Sequence, residues 1–509
     1  MTEESERYDR QIRLWGVHGQ KDINEATILF AGSDCVASEF LKNMVLHGVQ
    51  NVIIVDDAIV TENDLGSNFF VDKDSLGKPR AETVANLLNE LNPSTKIEAV
   101  LKSPIDISFM DHPKLNEQAI ILTSGNLPPS FLKQLSKICR ERHMRQAHIQ
   151  TTGLFGAFYI DAGLHHFFEG SVSEKNPISE LRISNPFEEL KEFWESIDFD
   201  SLSDQDHAHI PYCAILHQAA NILKKELNTD TLTRKDMNQL REIIEKMERN
   251  SINEENNTMN EEECFEEAIN NMNYLLNPPR IPLLTQECFE LSDTIGDVNE
   301  PFWQLVKSTQ RFYQKHGVIP HYGGCPDMET TPYFYQIQKG IYHDKSDKDW
   351  NEIAEDLNNL GINIDQETFD RFRQNVWRIG GVNYMPIEQS IELKPEMYYD
   401  DTSRYLAIVQ LLFVAAREFV ESNGRIPTNT NEDKEWLINK MKDLSAPEED
   451  SDKFVAEFCR AKGEVLPSVV ASFAAILAEE ITKIIIHQAH PVKSVVVFDG
   501  VHSILTTQG

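Results

Sequence analysis

Residues able to handle a phosphate gather early in this chain. Gly32-Ser33-Asp34-Cys35-Val36-Ala37 follows a short apolar run, Asp56 closes the next such run, and Arg7 and Arg10 precede both. A glycine loop opening a helix lets backbone approach a phosphate without a Cβ and offers N–H donors. Here only the first glycine is present, and Asp34 stands where a phosphate oxygen would arrive. Like charges repel at such range, which favours a structural remnant over a working loop. Asp56 is placed for a ribose contact, so an NAD-dependent oxidoreductase stays among the readings. Arg7-Tyr8-Asp9-Arg10-Gln11 offers guanidinium forks suited to phosphate, yet it also reads as a surface helix packed by Ile12, Leu14 and Trp15.

Two further groups are weaker. His207 and His209 are metal ligands by type, but no third or fourth ligand lies nearby in sequence, so a loop or helix-cap role before Pro211 is the better reading and no metal is expected. Cys325, in Gly323-Gly-Cys-Pro-Asp327, could be a nucleophile exposed by its turn. Asp327 would raise its pKa, and a structural thiol is the reading adopted.

The elements that must position these residues follow from periodicity. Ala26–Ala31 and Val52–Val55 are strand-like, and Val36, Ala37, Phe40, Leu41, Met44 and Val45 recur at helical spacing between them. More strands are expected over 97–100, 119–123 and 148–153, with helices over 79–92 and 129–145 between. Such alternation predicts an α/β fold with a doubly wound, mainly parallel sheet. From about 175 the pattern turns to long helices, including 212–227, 233–247 and 404–422, with an acidic, Asn-rich stretch at 249–267 that reads as an exposed loop or solvated face. A buried-type helix, 467–486, and a strand, 494–498, then restore the α/β signature. The expected domains are 1–170, a mainly helical insertion over 171–460, and a return to the first domain over 461–509.

Composition bounds the partners. With 82 acidic against 48 basic residues, the net charge of −34 makes nucleic acid and anionic membranes poor ligands. The start carries no apolar targeting segment, so an intracellular, cytoplasmic or nuclear chain is expected. No apolar stretch reaches the ~20 residues of a bilayer span. The seven scattered cysteines contain no C-x-x-C pair, which disfavours disulfide frameworks and cysteine zinc sites.

Taken together, Arg7-Tyr8-x-Arg10-Gln11, the strand–turn–helix into Leu41-Lys-Asn-Met-Val45, Gly48-Val49, Asp56 and Gly77-Lys-Pro-Arg80 resemble the adenylating domain of ubiquitin-like-protein activating enzymes and their bacterial sulfur-carrier relatives. Gly317-Val-Ile-Pro320 through Gly324-Cys-Pro-Asp-Met328, Tyr342, Lys345 to Asp349, and Asn185-Pro-Phe-Glu-Glu-Leu190 are similar to the regulatory subunits of neddylation-activating enzymes. Against the family's active half, three loop glycines fall at Asp34, Cys35 and Ala37. The phosphate-contacting arginine falls near Ser67, the lysine after Gly-x-Pro at Arg80, and the magnesium-site aspartate at Gly125 beside Asn126. The resemblance therefore implies a pseudo-active half: no nucleotide or metal bound by this chain, an insertion without the thioester cysteine, and no activity alone. MgATP would sit in a catalytic partner subunit, and Arg10 would be supplied in trans to it. A Nedd/Rub-type modifier would be the protein activated.

Three alternatives remain at this level: a homodimeric adenylating enzyme, the corresponding subunit of a SUMO-activating enzyme, and the oxidoreductase. The helix over 467–486 is expected to expose apolar surface for the partner.

Overall fold

The computed structural model describes residues 7–169, 181–249, 251–253, 258–260, 262–276, 280–296, 298–325, 332–392, 400–493 and 495–508. It forms two compact units, 1–173 with 381–509, and 174–380.

The first unit is built on one sheet of eight strands: β1 (Thr27–Ala31), β2 (Asn51–Val55), β3 (Lys96–Val100), β4 (Ile120–Ser124), β5 (Arg145–Thr152), β6 (Phe155–Asp161), β7 (Val495–Asp499) and β8 (Ile504–Gln508). Their order across the sheet is β8-β7-β6-β5-β4-β1-β2-β3. From β3 to β5 every pairing is parallel, with Ile28 beside Val52 and Ile120, whereas β6 to β8 run antiparallel to their neighbours. β1 and β4 are buried along their whole length, as unbroken apolar runs in a sheet covered on both faces must be. The sheet's direction of winding reverses between β1 and β4, and such a point is where an open α/β sheet leaves a crevice for a ligand.

Helices α1 (Asp9–Glu25), α2 (Cys35–His47), α3 (Arg80–Leu91), α4 (Pro129–Glu141), α5 (Asp401–Asn423), α6 (Glu448–Ala461) and α7 (Pro467–Ile486) belong to this unit. Two expectations change here. Residues 381–460 do not belong to the insertion: α5 and α6 share a core with Leu29, Ile121, Tyr159 and Val497. α5 is buried from Leu406 to Ala416 on all sides, and a helix apolar all round reads as buried whichever domain buries it. Nor does α7 keep its apolar face for a partner. Val470, Phe473, Leu477, Ile481 and Ile484 are buried within the unit, and Phe473 packs 5.0 Å from Phe158.

The second unit is helical around Trp194, Ile215, Leu216, Phe265 and Tyr342. Within the acidic stretch, 251–253 pairs antiparallel with 258–260, and the helix Glu263–Asn271 buries Cys264, Phe265 and Ala268. That stretch is therefore partly core, because its few apolar residues fall at helical spacing. Among the described residues no helix is long and apolar enough to cross a membrane.

Candidate functional site

The glycine-loop segment joins β1 to α2, at the crevice. Gly32 has φ +131°, and a Cβ there would meet Ser124 Oγ at 3.1 Å, so the first glycine is kept by both conformation and space. Asp34 caps α2: its Oδ1 accepts from the Ala37 N–H at 2.9 Å and its Oδ2 from Ser124 Oγ at 2.9 Å. The helix N-terminus that would hold a phosphate is thus satisfied by a carboxylate of the chain itself. Burial pushes the Asp34 carboxyl up, against the Ala37 N–H, Arg80 and Ser124, which favour its ionised form. Beside it, burial and then the carboxylates of Asp34 and Glu39 push the Cys35 thiol up to about 12. That thiol donates to the Ser67 carbonyl at 2.8 Å.

Arg80 completes the filling. Its Nη2 meets Asp56 Oδ2 at 2.9 Å, its Nη1 meets Asp64 Oδ1 at 2.8 Å, and its Nε donates to Ser33 Oγ at 3.1 Å. Asp56, the expected ribose contact, also accepts from the Ser33 N–H at 3.0 Å and the Ala58 N–H at 3.0 Å. Both its oxygens are therefore occupied, and the dinucleotide reading loses its one supporting residue. Burial acts to raise the Asp64 pKa, but the Thr61 N–H and hydroxyl and Arg80 outweigh it and hold the carboxyl below its ordinary value. Gly125 and Asn126 carry no carboxylate, and the Asn126 amide oxygen accepts from Gln150 Nε2 at 2.9 Å. The pocket supplies its own anion at the helix end and commits its own cation, so its residues do not fit a triphosphate with magnesium.

Arg10 differs in every respect. It lies in the first turn of α1, exposed, with no hydrogen bond or ion pair among the described residues. The backbone under it is fixed. Tyr8 and Trp15 are buried on the inner face, and Asn92 receives Arg7 Nη1 at 2.5 Å while donating to the Tyr8 hydroxyl and to the Val45 carbonyl at 3.0 Å each. Trp15 Nε1 donates to Gln20, whose amide donates to the His47 carbonyl at 3.0 Å. The expected packing role of Leu14 is not seen, since its side chain is 57% exposed.

The ThiF family model matches residues 8–117, the part of the chain that carries both arginines. A NEDD8-activating enzyme E1 regulatory subunit from Danio rerio is 29% identical, covering 98% of this chain and 97% of its own. The NEDD8-activating enzyme E1 regulatory subunit AXL of Arabidopsis thaliana is 27% identical over 98% of each chain. SUMO-activating enzyme subunit 1 of Dictyostelium discoideum is 30% identical but covers only 54% of this chain and 81% of its own. The chain belongs to the NEDD8-activating enzyme E1 regulatory subunit family. The near-complete coverage by the NEDD8 subunits, against about half by the SUMO subunit, separates these two related readings.

In this member of the NEDD8-activating enzyme E1 regulatory subunit family the second unit holds the remaining candidates. Cys325 is half-buried and accepts from Gln338 Nε2 at 3.9 Å, while Gln338 Oε1 accepts from Trp194 Nε1 at 2.9 Å. Asp327 lies outside the described residues. His207 is buried with its Nδ1 2.8 Å from Glu262 Oε1 and its ring stacked 5.2 Å from Phe265, and His209 Nδ1 lies 2.7 Å from the Gln205 carbonyl. The two histidines have separate partners and serve local packing. The capture of Arg80 was not foreseen from sequence. Thr61-x-x-Asp64 is a legible capping box, and the structure shows both of its reciprocal bonds, but nothing in the sequence links it to Arg80.

Proposed function

We propose that this chain is the non-catalytic half of a two-chain activating enzyme for a Nedd/Rub-type ubiquitin-like modifier. The single observation that carries the reading is the Arg80 guanidinium, locked between Asp56 and Asp64 inside the chain's own nucleotide pocket. A triphosphate needs cationic groups free to follow its charge through the reaction, and phosphoryl chemistry depends on such positioning. Here that group is committed, so this chain binds neither ATP nor magnesium and adenylates nothing alone. The catalytic partner subunit holds MgATP, activates the modifier's C-terminus and takes it as a thioester. This chain supports the partner's fold and lends Arg10, whose fork suits phosphate oxygens and whose charge is unspent.

ATP–pyrophosphate exchange tests the assignment. Modifier-dependent exchange is expected from the mixture with the catalytic subunit and from neither chain separately. Exchange by the isolated chain, or stoichiometric MgATP binding at micromolar affinity, would sink it.

A further inference from the structure

Beside Arg10 lies a cavity of about 750 Å³, lined by α1, the end of α7 and the residues that follow it. Its apolar lining comes from Leu14, Trp15, Ile486 and Ala489. Leu14 and Val17, on either side of the kink at Gly16, are exposed, as is Leu46, whose carbonyl accepts from Gln11 Nε2 at 3.3 Å. The polar lining is unevenly satisfied. Two of its cations are held: Lys483 Nζ by Glu480 at 2.6 Å, and Arg7 by Asn92. Two of its acceptors lack a donor. Gln11 Oε1 and Glu169 Oε2 are buried atoms without a hydrogen-bond donor among the described residues, and Glu479 is an exposed carboxylate on the same wall.

We infer that this cavity receives a lysine or arginine of the catalytic partner subunit, carried on a segment whose apolar neighbours cover Leu14 and Val17. The inference rests on the two-chain reading. A buried acceptor without a donor is costly, and two in one cavity with an apolar wall match a cationic head on an aliphatic stem. Like charge keeps that head away from Arg10 and directs it to Gln11 and Glu169. Exposed leucine and valine beside a cavity are what a partner surface removes from water, and the hot spots of such interfaces are buried side chains filling pockets. Arg10 and this cavity lie on the same helix, so docking there would bring the arginine to the partner's surface.

Pairing affinity and amide exchange test it on the full-length chains. In the wild-type protein, the catalytic subunit should slow hydrogen exchange at residues 10–17 and 482–489. Glu169→Lys should weaken pairing at least tenfold and Leu14→Arg about a hundredfold. The wild-type exchange measurement stands even if a variant misfolds. Unchanged protection, or unchanged affinity in both folded variants, overturns the inference while leaving the two-chain reading intact. A pair that assembles with this protection but adenylates nothing refutes the two-chain reading instead.

Discussion

Two arginines, Arg80 and Arg10, stand in regions of opposite design. Arg80 is held on all three nitrogens of its fork, by Ser33, Asp64 and Asp56. Arg10 is held only by its backbone, on a helix pinned through Tyr8, Asn92 and Trp15, and its charge faces outward. A largely buried cation bonded to two carboxylates of its own chain stabilises the fold and has little left for a ligand. An exposed cation on a rigid helix contributes little to the fold and stays available. The contrast teaches that loss of a catalytic pocket need not leave a hole: the same positions can be rebuilt as an ion-pair knot.

The sharpest way to break this contrast is to remove each arginine. Arg80→Met should destabilise the chain by about 3–5 kcal/mol in urea unfolding at pH 7, because two carboxylates lose their cation in a largely dry site. A change within 0.5 kcal/mol, the usual scatter for a surface position, would mean the knot is not structural. Arg10→Ala should leave stability and assembly alone but slow adenylate formation by the reconstituted pair about a hundredfold, with Arg10→Lys restoring only part of it. An unaltered exchange rate in an intact complex would remove Arg10 from the mechanism.

The buried region behind the pocket gives a pH test. His148 is lowered to about 3, first by burial and then by Arg417, and its Nδ1 lies 2.8 Å from Thr123 Oγ1. The unfolded chain takes up this proton near pH 6.5 and the folded chain only near 3, so stability is full above 6.5 and is lost as pH falls between those values. At pH 5.5 the loss from this one group is about 1.4 kcal/mol. His148→Gln should therefore flatten the melting temperature against pH between 6.5 and 4, where wild type falls. The smallest effect is expected at Cys325→Ala, which should leave thioester formation by the complex unchanged and shift stability by less than ~1 kcal/mol. Loss of thioester there would restore a catalytic role to this thiol.

Much of the first unit was legible. β1, β2 and β4 are unbroken apolar runs, α2 shows a clear helical period, and the absent glycines at Asp34, Cys35 and Ala37 announced a changed loop. What the loop had become was not legible, because Arg80 meets Asp56, Asp64 and Ser33 only through the fold. The boundary at 380 was hidden for a related reason: α5 looks the same in any core, and its choice of the sheet is decided by Tyr159 and the strands beyond it. Arg10 could be singled out only by resemblance, since on composition α1 is an ordinary surface helix.

The sheet's discontinuity also sets a clock. β7 pairs with β6, placing Val495 beside Tyr159, so β6 keeps an open edge while residues 162–494 are being made. At ribosomal rates of about 5–20 residues per second that wait lasts tens of seconds, with an apolar strand presenting unpaired amides throughout. The second unit is completed within that interval, and the nascent first unit must be kept from the edges of its neighbours until its last strands arrive. The open edge of β6 is therefore where a nascent copy of this chain is most exposed to strand pairing with its neighbours.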